Sequence, residues 1–395
     1  MLLCVPAIAG PLAHGARHDG TGLSQRPPGC LTPAVPELES LGVKGRIQRL
    51  RRLIAGEGID GMLITDLSNI RYLCGYSGSN GAMLVTPRSA WFYTDFRYKE
   101  QVRTEVRGCR SRVLARGLLL DFPTEHIAGI RTVGVESHHL TLQSFRLLRR
   151  RLRGNSLVPV QRNLVLELRR TKDRSETAAI RNAQRVTDRV FLEVLASVKP
   201  GIREKELAAE ITYRFEISGE NAFDPIVASG PNGAKPHAGA TGRRLKKGDA
   251  VTFDIGCRVN GYCADMTRTV FLGKPDSDLA EVYSIVLEAQ RRALETIRAG
   301  TDCAEVDRVA RDHIRDTGYG PYFGHSLGHG VGIDVHEQPV LAGTSGQQLE
   351  PGDMVTVEPG IYLPGLGGVR IEDMVSVTET GCRNLTKSPK DLIRL

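Results

Sequence analysis

The sequence predicts an α+β domain over residues 170–395, built on a curved antiparallel sheet with pseudo-two-fold symmetry, behind an α/β domain over 41–165. Three observations carry this expectation. A phrase is written twice: Gly248, Asp249, Val251, Thr252 and Gly256 recur as Gly352, Asp353, Val355, Thr356 and Gly360, with Asp254 matched by Glu358. Each copy is followed by a second acidic strand, one carrying Asp265 and the other Glu372. Between 43 and 153, strand and helix patterns alternate as they do in α/β domains.

Residues 1–40 are rich in Gly, Pro and Ala, lack apolar periodicity and are expected to form a disordered extension. Their apolar start has neither a basic n-region nor a small-residue cleavage signal, so a leader is not expected. Ile47, Leu50, Leu53 and Ile54 recur at helical spacing and predict a helix over 43–57, followed by a strand at 61–65. Segments 83–86 and 91–94 read as a strand pair across a Pro-Arg-Ser turn, 129–136 holds a short strand, and 142–153 reads as a helix. The change-over between domains is placed at 163–174. A long amphipathic helix is then predicted over 176–199, ended by Pro200 and Gly201. Helices at 203–218, 278–299 and 303–317 would pack outside the sheet.

At 395 residues the chain can bury two cores, and 41% hydrophobic with 25% charged residues is the balance of a globular protein. The net charge of +8 is a mild basic lean. Its densest run, around Arg149, Arg150, Arg151 and Arg153, has no interleaved aromatics and reads as a solvated helix face; no nucleic-acid partner is expected. No stretch reaches 18 apolar residues, so no membrane span is expected. The eight cysteines form no CxxC pair and read as reduced thiols of a cytoplasmic protein.

Val251, Phe253 and Ile255 alternate with Thr252, Asp254 and Gly256, the period of a strand. Asn260-Gly261 is a hairpin signal that would return the chain and set Asp265 on the same face as Asp254. The second copy has a longer connection through Pro364, Gly365, Gly367 and Gly368. A single aspartate at a strand end is usually a turn former. Four carboxylates at repeated positions, however, would repel one another unless something strongly positive lay between them. Two divalent cations would balance them, and His325, His329 and His336 lie in the Gly-rich segment between the copies. An oxygen-rich set with an imidazole suits Mn²⁺ first, with Co²⁺, Fe²⁺ or Zn²⁺ compatible.

Together these residues resemble the metallopeptidase family of methionine aminopeptidases, prolidases and aminopeptidase P, whose catalytic domain has the pita-bread fold. The resemblance runs from about residue 44 to the end. It implies that Asp254 chelates one metal, Asp265 and Glu372 bridge both, and His329 and Glu358 bind the second, with Glu358 also moving the proton of the attacking water. It further implies that His237, His325 and His336 face the substrate and stabilise charge on the carbonyl oxygen, and that Arg370 supports the site. Segments 65–73, 75–81 and 93–98 resemble the creatinase-type N-terminal domain of bacterial Xaa-Pro peptidases. Methionine aminopeptidases lack that domain, and creatinase lacks the ligand set.

The implied reaction is hydrolysis of the bond preceding proline, in an Xaa-Pro dipeptide or at the N-terminus of a longer peptide. That amide is tertiary, lacks an N–H and fixes the next φ, so proteases that grip substrate as an added strand handle it poorly. The run 324–332 looks closer to prolidase-type enzymes, which favours dipeptides. The resemblance also implies a homodimer or homotetramer. The competing expectation is a non-catalytic peptide-binding scaffold on the same fold, since fold alone does not fix function.

Overall fold

The computed structural model describes residues 40–152 and 154–395; apart from Ser40, the extension expected at 1–40 lies outside them. The first helix, Ser40–Gly56, buries Val43, Ile47, Leu50 and Ile54 on one face, as the spacing predicts. It covers a six-stranded mixed sheet. From edge to edge the strands are Arg110–Leu114, Ala90–Asp95, Ala82–Val85, Gly61–Ile64, Thr132–Glu136 and Ser156–Val160. Gly61–Ile64 runs antiparallel to Ala82–Val85 and parallel to Thr132–Glu136.

Several elements here were not anticipated: the strands Arg110–Leu114 and Ser156–Val160 and the helices Leu67–Cys74, Lys99–Glu105, Leu118–Asp121 and Leu164–Arg170. Arg110–Leu114 exposes all but its last residue, so it carries no apolar alternation to read. Leu164–Arg170 occupies the stretch expected to be a change-over. Asn163 caps it through Leu166 N, and Leu164 and Val165 are buried.

The long helix spans Arg174–Leu195, against 176–199 expected. Its start is set by a capping box: Asp173 accepts from Ser175 N and Glu176 N, both at 2.9 Å, and Glu176 returns a bond to Asp173 N at 3.0 Å. Ile180, Ala183, Thr187, Val190, Phe191 and Val194 form its buried stripe. Helices Glu204–Ser218, Ser277–Thr296 and Cys303–Asp316 follow close to their expected bounds.

Both copies of the duplicated phrase form a strand that pairs antiparallel with the strand following its partner carboxylate. Ala250–Ile255 pairs with Met266–Phe271, setting Asp254 opposite Thr267. Met354–Val357 pairs with Asp373–Val377, setting Val357 opposite Asp373. The strands pair antiparallel as expected, but neither pair is a continuous hairpin. The chain breaks at Gly256 and Ala264–Asp265 in one copy and at Glu358 and Glu372 in the other, and turns out into a second, smaller hairpin: Cys257–Val259 with Tyr262–Cys263, and Gly360–Leu363 with Gly367–Arg370. The first small hairpin turns at Asn260-Gly261, with φ of 52° and 80°, the left-handed pair such a tight turn requires. Sheets of four and five strands result, antiparallel apart from the short terminal strand Ile393–Arg394 beside Met266–Phe271.

The largest apolar cluster does not stop at the domain border. It runs from Ile47 and Leu50 through Leu164 and Val165 to Ile180, Phe191 and Phe253. Among the described residues no helix is long and apolar enough to cross a membrane, and Cys74, Cys109, Cys257, Cys263, Cys303 and Cys382 are free thiols.

Candidate metal centre

The breaks in the paired strands bring the acidic residues together. Asp265 follows Tyr262–Cys263, Glu358 follows Met354–Val357, and Glu372 sits between Gly367–Arg370 and Asp373–Val377. A cavity of about 530 Å³ is lined by all nine residues singled out from the sequence: His237, Asp254, Asp265, His325, His329, His336, Glu358, Arg370 and Glu372. Within it Asp265, His329 and Glu372 form the tightest group, each offering a ligand atom within 4.8 Å of the others. All three are buried.

Glu358 joins this group through His329, whose Nε2 lies 3.2 Å from Glu358 Oε1 and 3.7 Å from Asp265 Oδ2. His329 Nδ1 is 3.1 Å from the carbonyl of Gly330. A proton held there for that carbonyl would leave Nε2 free to ligate once a metal replaced the proton it shares with Glu358, the tautomer a metal ligand needs. Asp254 stands differently. Its Oδ2 accepts from Arg370 Nη2 at 2.5 Å, so its charge is matched by the guanidinium.

Two hydroxyls aim the carboxylates. Thr267 donates to Glu372 Oε2 at 2.8 Å, and Thr356 donates to Glu358 Oε1 at 3.1 Å. Tyr362 links the outer residues: its hydroxyl is 2.8 Å from His325 Nε2 and accepts from Arg370 Nη1 at 2.8 Å. Sequence reasoning assigned no role to these three. Thr356 belongs to the duplicated phrase, which was a signal; Thr267 and Tyr362 gave none. His237 and His336 are exposed among the lining residues, and the His336 ring packs on His329 with centroids 4.1 Å apart.

The electrostatics of the bare protein are those of crowded negative charge. Burial, then the neighbouring carboxylates, push Asp265 and Glu372 well above the usual carboxylate range. Burial also raises Asp254 despite Arg370. Burial, the largest single influence, would raise Glu358 too, but the hydrogen bond and charge of His329 together with the charges of Arg370 and His325 outweigh it and hold the group low. His329 is raised correspondingly, Glu358 overcoming the effect of burial. Burial lowers His325 and His336.

Asp265 Oδ1 and Glu372 Oε1 are buried and have no hydrogen-bond partner among the described residues. A buried carboxylate oxygen without a partner costs free energy that one hydrogen bond or cation would remove. The donor set, four carboxylates and one imidazole with two orphan oxygens, fits hard divalent cations.

Comparison with known proteins agrees with this chemistry. Residues 178–379 match the metallopeptidase family M24, and residues 46–171 match the creatinase/prolidase N-terminal domain. An uncharacterized peptidase of Bacillus subtilis, YqhT, is 41% identical over 89% of this chain and 100% of its own length. A solved structure of an Xaa-Pro dipeptidase from Bacillus anthracis superposes with a TM-score of 0.86 at 41% identity, covering 89% of this chain and 100% of that one. An X-Pro aminopeptidase from Thermotoga maritima gives a TM-score of 0.82 at 36% identity, covering 88% and 99%. With the pita-bread catalytic domain and the creatinase-type domain before it, the chain belongs to metallopeptidase family M24.

Proposed function

We propose that this metallopeptidase hydrolyses the peptide bond preceding proline, with two divalent metal ions, Mn²⁺ first, held by Asp254, Asp265, His329, Glu358 and Glu372. The observation that carries the reading is the trio Asp265, His329 and Glu372 lining one cavity, with two carboxylate oxygens that have no partner among the described residues. A pair of such ions supplies Lewis acidity and positive charge where the tetrahedral oxyanion develops.

The chain's own residues do the rest. Glu358, aimed by the Thr356 hydroxyl, takes the proton of the attacking water and passes it to the leaving nitrogen. His336 and His237, exposed in the cavity, donate to the carbonyl oxygen as it gains charge. His325, fixed by Tyr362 and through it by Arg370, orients the substrate. Leu166, Phe223, Ile226, Val335 and Val340 give the cavity an apolar side that suits a proline ring. A non-catalytic scaffold would have no use for two buried carboxylate oxygens left without a partner among the described residues.

Relatives bear both dipeptidase and aminopeptidase names. We favour dipeptides as the preferred substrate, on the 324–332 run. Hydrolysis of Ala-Pro, Ala-Pro-Ala and Ala-Ala by the Mn²⁺-loaded protein tests this. Cleavage of Ala-Pro alone supports it, cleavage of the tripeptide makes the enzyme an aminopeptidase, and turnover of neither proline peptide removes the proposal.

A further inference from the structure

His336 makes no side-chain hydrogen bond to a described residue, yet the loop that carries it is gripped on both sides by charge reaching in from the segment that joins the two domains. We infer that Arg169 is a positioning residue for His336. This rests on the reading of His336 as substrate-facing.

The grip begins at Glu136, at the end of the Thr132–Glu136 strand. Its carboxylate accepts from Thr65 N at 2.7 Å, Asp66 N at 2.8 Å and Asn69 Nδ2 at 2.7 Å. Asn69 passes the connection on, accepting from Arg169 Nη1 at 2.8 Å. Arg169 then uses Nη2 twice, on Asp334 Oδ2 at 2.6 Å and on Glu337 Oε1 at 2.5 Å. Those two acids flank Val335 and His336. Ser68 adds a second tie to Asp334, at 2.5 Å, and Lys172 holds the other oxygen of Glu337 at 3.0 Å.

Arg169, Glu136, Asn69 and Glu337 are all buried. The local backbone is shaped around the same carboxylate: a Cβ on Gly332 would collide with both oxygens of Glu337. Gly332 in turn accepts from Cys263 N at 2.7 Å, two residues before Asp265. A buried ionic cluster adds little net stability over apolar residues of the same volume. What it does supply is a fixed geometry: the planar guanidinium sets the spacing of Asp334 and Glu337, and with it the place of the histidine between them.

A double-mutant cycle tests this in the full-length, metal-loaded protein, with kcat and KM for Ala-Pro measured in Arg169→Met, His336→Ala and the double variant. Arg169→Met is expected to lower kcat/KM on the order of 100-fold, the scale of an ångström-sized misplacement. Metal content should stay at the wild-type level. In the His336→Ala background the same change should cost less than about 3-fold, because the residue it positions is gone. Arg169→Lys, which keeps the charge but not the fork, should fall between. Equal losses in both backgrounds would overturn the inference. If Arg169→Met does not fold, Ser68→Ala, which removes one hydroxyl from Asp334, is taken through the same cycle and judged the same way. Full activity of His336→Ala would overturn the inference together with the role given to that histidine, and no hydrolysis of Ala-Pro by the wild type would remove both.

Discussion

Replacing Glu372 by glutamine takes one charge out of the carboxylate cluster while keeping its shape and leaving Thr267 an oxygen to bond. Glu372 is 1% exposed, and one of its oxygens has no partner among the described residues. Two opposite effects on thermal stability follow. Without metal, the wild-type group is held well above its usual range by burial and neighbouring acids, so keeping it ionised at neutral pH opposes folding. The amide carries no such penalty, and metal-free Glu372→Gln should melt above the metal-free wild type at pH 7. With metal the order reverses. At a metal concentration 100 times the dissociation constant, one site stabilises the wild type by about 2.7 kcal/mol. That is a rise of about 5–11 °C at 2–4 °C per kcal/mol. Losing a direct ligand should weaken binding at least about 100-fold, the upper range for outer partners, which leaves about 0.4 kcal/mol and a rise under about 2 °C. Differential scanning calorimetry of chelator-treated protein, with and without Mn²⁺, reads both effects. A wild-type metal shift in the variant would take Glu372 out of the ligand set. A lower melting point without metal would refute the claim that these carboxylates repel.

Three further outcomes are expected. Asp265→Ala and His329→Ala should each lower Ala-Pro hydrolysis by at least about 10³-fold with the far-ultraviolet circular dichroism unchanged, and full activity in either would sink the ligand assignment. Glu337→Gln should cost about 3–5 kcal/mol by denaturant unfolding, because it leaves Arg169 and Lys172 facing a neutral group in the interior. The wild-type carboxyl is raised by burial but pulled down further by Lys172 and Arg169, to about 2, against 4.5 unperturbed. Its stabilisation is therefore present above about pH 4.5 and fades as pH falls through 2, so the gap between wild type and variant should close over that interval; a gap independent of pH would count against the ion cluster. Burial pushes Cys257 up to about 12 and Cys263 and Cys303 up to about 11, so iodoacetamide at pH 8 should label these three only after denaturation. Rapid labelling of the native protein would contradict their burial.

The site residues were legible because duplication repeats a strand position, and position on a strand decides which face a carboxylate joins. Asp254 and Glu358 share a place in the repeated phrase, and the structure gathers them with Asp265 and Glu372 around one cavity. What the alternation could not reveal is that each strand pair breaks at or beside the carboxylates, since Gly256 and Gly360 read equally well as ends or interiors. Thr267 and Tyr362 escaped notice for a related reason. Their roles come from partners that lie far along the chain: Glu372 for Thr267, and His325 for Tyr362. In the first domain, helices with a buried stripe were readable. The exposed edge strand Arg110–Leu114 and the seven-residue helix Leu164–Arg170 gave too little pattern.

That short helix has a bearing on how the protein can be inherited. The matched segments part between 171 and 178, a border that suggests two exchangeable modules. Yet Arg169, on the near side of it, and Lys172, within it, hold Glu337 on the far side, and Leu164 and Val165 belong to an apolar cluster common to both. A catalytic half recombined at that border would keep a buried carboxylate and lose Arg169 from beside it. Viable exchange of the first module must therefore carry the crossover further upstream, so that the helix travels with the half it serves.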